Sequence, residues 1–492
     1  MPINSPFDPR VIRQHQLEWS RRTFVGKSAQ ALGAIALGTL LNPRLLSAAG
    51  TAAATGSGPW TGILPSPHFP PRAKRVIHLY MAGGPSHLET FDYKPELNRI
   101  HGQPFPQSFT NGQQLAQLQN TKLLARGSAF RFSRCGLSGQ TISDLLPYTQ
   151  QIADDICIIR SLHTEQINHD SAHAFMNAGT QIKGRPSMGS WLLYGLGCET
   201  DNLPGFVVLM SRGPAGGEQP VSARQWSAGF LPSRFQGVQF QGKGMPVHYV
   251  GNPDGVCQST QRQVIDEIAR LNGFHEEETL DPEVQTRLAQ YELAFRMQTS
   301  IPDLADLSGE PESIRQMYGV REPGDGSFAS NCLLARRLAE RGVRFIQLYH
   351  RGWDQHSDLD RDIKDVCGRV DQASAALVKD LKQRGMLDDT LVLWGGEFGR
   401  TPMSQGSGRD HHINAFSAWM AGGGIRGGLA WGSTDDLGYR YLEDGQDMHV
   451  HDLHATMLAA LGIDHEKLTY RFQGRDFRLT DVSGKIARGI FA

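Results

Sequence analysis

Six apolar runs constrain this chain more than any other feature: Val76 to Met81, Ile156 to Ile159, Phe206 to Met210, Phe345 to Tyr349, Leu391 to Trp394 and Ala415 to Met420. Each is short, rich in β-branched or aromatic residues and continuous rather than alternating, as strands buried on both faces are. Helical patterns lie between them. The clearest runs from Asp358 to Arg384, with Ile363, Val366, Val370, Ala373, Leu377 and Leu381 at steps of three and four. A second, from Asp452 to Leu461, carries Leu453, Thr456, Met457 and Leu461 on one side. This alternation predicts an α/β fold, a doubly wound and mostly parallel sheet with helices on both faces. The 492 residues suffice for one large core, and 49 basic against 50 acidic residues leave a net charge of −1. No global field draws such a chain to nucleic acid, so no nucleic-acid partner is expected.

The first 49 residues read as a twin-arginine export signal: Ser20-Arg21-Arg22-Thr23-Phe24-Val25, then an apolar stretch from Ala31 to Leu41, then Ser47-Ala48-Ala49. Residues 50–70, rich in Gly, Ala, Thr, Ser and Pro, read as a flexible linker, and residues 71–492 as the folded domain. No run approaches the roughly 20 apolar residues of a membrane helix, so no stable span is expected after export, and the expected location is periplasmic or extracellular. The six cysteines include no C-x-x-C pair, and neither a zinc cluster nor a disulfide framework is legible.

In parallel sheets the ligand site lies beyond the carboxyl ends of the strands. Most of the chain's 18 histidines fall in or near such segments, together with several carboxylates. Imidazole and carboxylate together suit a divalent metal, which can activate a nucleophile or neutralise a phosphoryl or sulfuryl oxygen. The candidate ligands are Asp354 and His356, Glu397, His411 or His412, and, after the first run, His87, Glu89 and Asp92. Glu397 can instead pair with Arg400. Arg400 and Arg409 offer planar forks for phosphate or sulfate, or structural ion pairs. Candidate attacking groups are Ser86, beside Gly83-Gly84, and His169 or Ser171 in the Asn168-His169-Asp170-Ser171 stretch, where Asn168 is a candidate substrate contact. Asp170 or Ser171 equally suits a helix N-cap, and His449, His451 and His454 either finish the site or begin a helix.

The chain resembles the bacterial family called domain of unknown function 1501, within the alkaline phosphatase and sulfatase superfamily. The resemblance is carried by the twin-arginine leader, Met81-Ala82-Gly83-Gly84-Pro85-Ser86-His87, Phe91-Asp92-Tyr93-Lys94-Pro95, Gly352-Trp353-Asp354-Gln355-His356, Glu397-Phe398-Gly399-Arg400-Thr401-Pro402, Gly408-Arg409-Asp410-His411-His412 and Gly474-Arg475-Asp476-Phe477-Arg478-Leu479-Thr480-Asp481. It implies an alkaline phosphatase-like sheet holding one or two divalent ions, Zn²⁺, Mn²⁺ or Ca²⁺, with Asp354, His356 and His411 or His412 around the principal one. Two departures stand out: Gly83-Gly84 replaces an acidic ligand after the first strand, and Phe398 replaces a histidine beside Glu397. None of the six cysteines opens the C-x-P-x-R cassette of sulfatases. The resemblance implies an exported metal-dependent hydrolase of phosphate or sulfate esters, with a polysaccharide or other envelope molecule as the expected substrate. The rivals are a non-catalytic envelope protein that binds an anionic glycan or a protein partner, and a mutase on the same scaffold.

Overall fold

Alternate residues of the central strands enter two different cores, which is why their sequences are apolar throughout. The computed structural model describes residues 61–211, 213, 219–243, 246–247, 256–279 and 282–492. The strands that matter for the site are β1 (Arg75–Ala82), β2 (Ile156–His163), β3 (Phe206–Ser211), β4 (Val238–Phe240), β5 (Phe345–Arg351), β6 (Thr390–Gly395), β7 (Gly399–Gln405), β8 (Gly408–His412), β9 (Phe416–Ala421), β10 (Ala430–Trp431) and β11 (Met448–His449). Nine of them form one sheet in the order β10-β2-β9-β6-β1-β5-β3-β4, with β11 also beside β2. β7 and β8 pair separately as an antiparallel hairpin. All six expected runs are strands of the large sheet.

The helices needed here are α1 (His169–Ala178), α2 (Met188–Leu196), α3 (Phe328–Glu340), α4 (Leu359–Gln383) and α5 (Val450–Ala460). One face of the sheet contributes Ile77, Leu79, Ile346, Leu348, Val392 and Trp394 to a core closed by Leu333 of α3 and Val370 and Leu377 of α4. The other face contributes Val76, Tyr80, Phe345, Tyr349, Leu391 and Leu393, covered by Phe175 of α1, Trp191 of α2 and Met457 of α5. The fold is therefore doubly wound, as expected. Each fully buried aliphatic or aromatic side chain contributes about 1.5–3 kcal/mol of transfer free energy, so two continuous faces dominate the stability.

β9 departs from the parallel pattern: it runs antiparallel to both β2 and β6, while the other pairs of the sheet are parallel. Its amino end, not its carboxyl end, therefore lies beside the carboxyl ends of its neighbours. That reversal brings the Arg409 to His412 segment, which precedes β9, to the same edge as Gly83 and Glu397.

Two boundaries differ from the sequence reading. The export signal and residues 50–60 of the expected linker lie outside the described residues. Residues 61–70, expected as flexible linker, belong to the folded body: the N–H groups of Ile63, Leu64 and Phe69 donate to the carbonyls of Tyr194 (2.9 Å), Gly195 (3.1 Å) and Gly462 (3.0 Å). A Pro-rich strip lacks donors to pair with itself, but its remaining amides find carbonyls at the ends of α2 and α5. α5 also begins two residues early, because the His449 side chain accepts from the His451 N–H and Asp452 caps the His449 N–H. Among the described residues no helix is long and apolar enough to cross a membrane.

Candidate metal centre

Four chain segments meet at one point of this edge. The turn after β5 carries Asp354 and His356, the first turn of α1 carries His169, the β7–β8 hairpin carries Arg400 and His411, and the residue after Gly395-Gly396 is Glu397. His411 and His412 are neighbours on β8, so their side chains leave opposite faces. His411 turns to Asp354, while His412 hydrogen-bonds the Tyr439 carbonyl and is fully buried away from the cluster.

The hydrogen bonds assign the protons. His411 Nδ1 donates to the Ile167 carbonyl (2.8 Å), and His169 Nδ1 donates to Glu397 Oε1 (2.7 Å). His356 Nδ1 donates to Gln405 Oε1, an oxygen oriented by the Gln405 amide, which donates to Gln117 Oε1. In a neutral ring with Nδ1 protonated, Nε2 is a bare acceptor. The Nε2 atoms of His356 and His411 nevertheless face each other at 2.9 Å. They lie 2.9 and 3.3 Å from Asp354 Oδ1, and His169 Nε2 lies 3.2 Å from Asp354 Oδ2. Three lone pairs and a carboxylate thus converge with no proton between them, an arrangement that a cation stabilises. These separations are close to the roughly 3.3 Å edge of a tetrahedron with metal–nitrogen bonds near 2.0–2.1 Å. The ligand atoms of His169, Asp354 and His411 all fall within 4.8 Å of one another. A carbonyl or carboxylate behind each ring is the usual support of a metal-binding histidine. The donor set fits a divalent ion.

The electrostatics agree. Burial alone would raise the pKa of Asp354, but the neighbouring His169, His356 and His411 rings and the Arg400 charge hold it well below the usual carboxylate range. Burial opposes a charge on His169, yet its contacts with Asp354 and Glu397 raise its pKa, whereas burial dominates at His411 and His173 and lowers theirs. The cluster attracts positive charge. Asp354 and His356 are about a quarter exposed at the side chain, while Glu397 is fully buried, so the open side is that of Asp354 and His356.

A family model described as a protein of unknown function (DUF1501) matches residues 73–491. The chain belongs to the DUF1501 family. No curated protein matches the sequence significantly. Solved structures similar to this DUF1501 chain include the PsFucS1 sulfatase from Pseudoalteromonas sp., with 12% identity, TM-score 0.33 and coverage of 80% of this chain and 68% of that one. The lipoteichoic acid synthase LtaP from Listeria monocytogenes has 9% identity, TM-score 0.34 and coverage of 86% and 78%. The phosphonate monoester hydrolase SpPMH from Silicibacter pomeroyi has 10% identity, TM-score 0.31 and coverage of 70% and 71%.

In this DUF1501 chain most of the remaining site candidates are committed to other partners, and of these Arg400 touches Asp354. Arg409 is fully buried and gives its fork to Glu89 (Nη2 to Oε1, 2.6 Å), while Ser86 Oγ donates to the same carboxylate. Neither a free anion fork nor a free hydroxyl remains there. Arg400, also fully buried, donates to Asp354 Oδ1 (2.6 Å) and to the carbonyls of Gly83, Gly84, Trp353 and Arg409, so it holds Asp354 and the turns around it. His87 meets the Gly438 carbonyl (3.0 Å), and Asp92 pairs with Lys94 (3.1 Å) and Thr434. Asn168 is the N-cap residue of α1 without a side-chain cap bond, and Ser171 Oγ donates back to its carbonyl. His451 and His454 donate to the carbonyls of Gly179 and Met176, holding the carboxyl end of α1.

The sequence reading missed His173 and Gln219. His173 stands one turn after His169 on α1, an i, i+4 spacing that puts both rings on one helix face; Gln219 Nε2 donates to Asp354 Oδ2 (3.1 Å), and no local pattern foretells that.

Phe398, which cannot ligate, forms an apolar wall: its ring centroid lies 4.9 Å from that of His169 and 4.6 Å from that of His411. The Gly83-Gly84 pair is explained by what passes close by. A Cβ on Gly83 (φ +126°) would lie 2.7 Å from the backbone of Trp353 and Asp354, and one on Gly84 (φ +73°) 2.6 Å from the Phe398 ring. Gly83→Ala should therefore displace Asp354 as well as strain the turn. A stability loss of at least about 1–3 kcal/mol with weakened metal binding is expected; an alanine variant with wild-type melting and metal content would refute this.

Proposed function

We propose that this protein is an exported, metal-dependent hydrolase of phosphate or sulfate esters carried on a polysaccharide or another envelope molecule. The observation that carries the reading is the convergence of the His169, His356 and His411 lone pairs on Asp354 at a partly open strand edge. Asp354, His356 and His411, with His169, would hold the ion, which supplies charge neutralisation at a non-bridging ester oxygen and activation of water. The chain's own groups do the rest. Arg400 holds Asp354 in place. Glu397 holds His169 in one tautomer, and Phe398 excludes water from behind the imidazoles. Of the three candidate attacking groups, only His169 stands in this cluster, since Ser86 is committed to Glu89 and Ser171 to the first turn of α1. The twin-arginine leader supports export, and an export route that carries folded proteins suits a centre assembled from four separate segments.

The test expresses the full chain with its leader, recovers it from the exported fraction and assays 4-nitrophenyl phosphate and 4-nitrophenyl sulfate before and after chelation. Cleavage of one ester, lost on chelation and restored by Zn²⁺, Mn²⁺ or Ca²⁺, is expected. A metal-loaded protein that binds sulfated or phosphorylated glycans without turnover would replace the hydrolase by a binding protein.

A further inference from the structure

A second group of ligating atoms overlaps the first. His169, His173 and Glu397 also place their ligand atoms within 4.8 Å of one another, and the two groups share His169. Two ions would require His169 to bind through both ring nitrogens. Its Nδ1 proton is already donated to Glu397 Oε1 at 2.7 Å. Glu397 is filled from its other side too: the Gly83 N–H reaches Oε1 at 2.9 Å and Oε2 at 3.2 Å. His173 Nδ1 is held at 2.8 Å by the Tyr80 hydroxyl in the middle of β1.

Burial separates the groups as well. Side chains of the first are 7–25% exposed, whereas those of Glu397 and His173 are fully buried. A reactive ion with three protein ligands needs an open position for water or substrate, and the second group offers none. The extra positive charge beside Asp354 is already present in Arg400, whose guanidinium cannot lose its proton.

We propose that the centre takes a single divalent ion and that Glu397 is a positioning residue rather than a ligand, fixing His169 so that Nε2 faces the ion. This inference rests on the metal-dependent reading above. It revises the sequence expectation that Glu397 ligates a metal, and it gives the Gly83 N–H a function, the clamping of Glu397.

The test measures metal per chain by elemental analysis and affinity by titration of the apo full-length protein with Zn²⁺ or Mn²⁺, for wild type, Glu397→Gln and His173→Gln. One ion per chain is expected throughout. Glu397→Gln should bind it about 10- to 100-fold more weakly, because an amide oxygen can still accept the His169 Nδ1 proton but the carboxylate charge that supports the ring is lost, and His173→Gln should bind it as wild type does. The visible absorption of the Co²⁺-substituted protein should keep its form in Glu397→Gln, because no ligand is lost. Two ions in wild type falling to one in either variant would overturn the single-ion assignment. An unchanged affinity in Glu397→Gln would overturn the positioning role, and so would a complete loss of binding with a changed Co²⁺ spectrum. Should Glu397→Gln fail to fold, the wild-type and His173→Gln stoichiometries still decide the ion count. A folded wild type that binds no ion would remove the metal-dependent reading itself, an outcome distinct from a count of two.

Discussion

Asp354→Asn is expected to abolish stoichiometric metal binding and to lower chelator-sensitive ester cleavage on the order of 10³-fold, the several kcal/mol that a bound cation contributes at a developing negative charge. Asp354 is touched by all three imidazoles and by Arg400. Asparagine preserves its shape and leaves an oxygen for the Arg400 fork, so the fold should survive, whereas alanine would leave a buried guanidinium without its anion. Elemental analysis and a melting curve on the same sample separate loss of metal from loss of structure. His356→Ala, at the more exposed rim, should weaken binding without unfolding the protein. A folded Asp354→Asn variant with full metal content and activity would refute the proposed centre.

The second large effect concerns stability. Arg409 and Glu89 form an ion pair in which both side chains are fully buried, completed by Ser86 Oγ and by the Thr401 carbonyl, which accepts from Arg409 Nη1 at 3.1 Å. Removing one partner strands a charge in the core, so Arg409→Ala and Glu89→Ala should each cost about 3–5 kcal/mol, read from denaturant midpoints. Replacing both by apolar residues of similar volume should recover much of the loss, because the desolvation cost of the pair disappears with its attraction. Arg409 lies two residues before His411 on β8, so the single variants should also weaken metal binding. Single variants losing less than about 1 kcal/mol would show that solvent reaches the pair.

The contrast between Arg400 and Arg409 shows where sequence reasoning stops. Both were candidate anion forks, since guanidinium chemistry is the same wherever it stands. Their burial and their main partners, Asp354 with the carbonyls of Gly83, Gly84 and Trp353 for one and Glu89 for the other, depend on contacts more than forty residues away. His87 and Asp92 follow the same logic: they occupy the expected strand end, but their partners in the 434–438 segment turn them from the centre.

The sequence by itself determined the strands, the helices between them and the chemical character of the site. Periodicity and β-branching act locally, and imidazole and carboxylate carry their ligand chemistry wherever they are placed. Only the tertiary structure decided which of these residues meet. The antiparallel course of β9 brought a segment before a strand to the edge shared by segments after strands. The alternation of β8 chose His411 over His412. The hydrogen bonds behind His169, His356 and His411 then left their lone pairs facing one carboxylate, because the position of a proton on an imidazole is set by its nearest acceptor, and that acceptor is supplied by the fold.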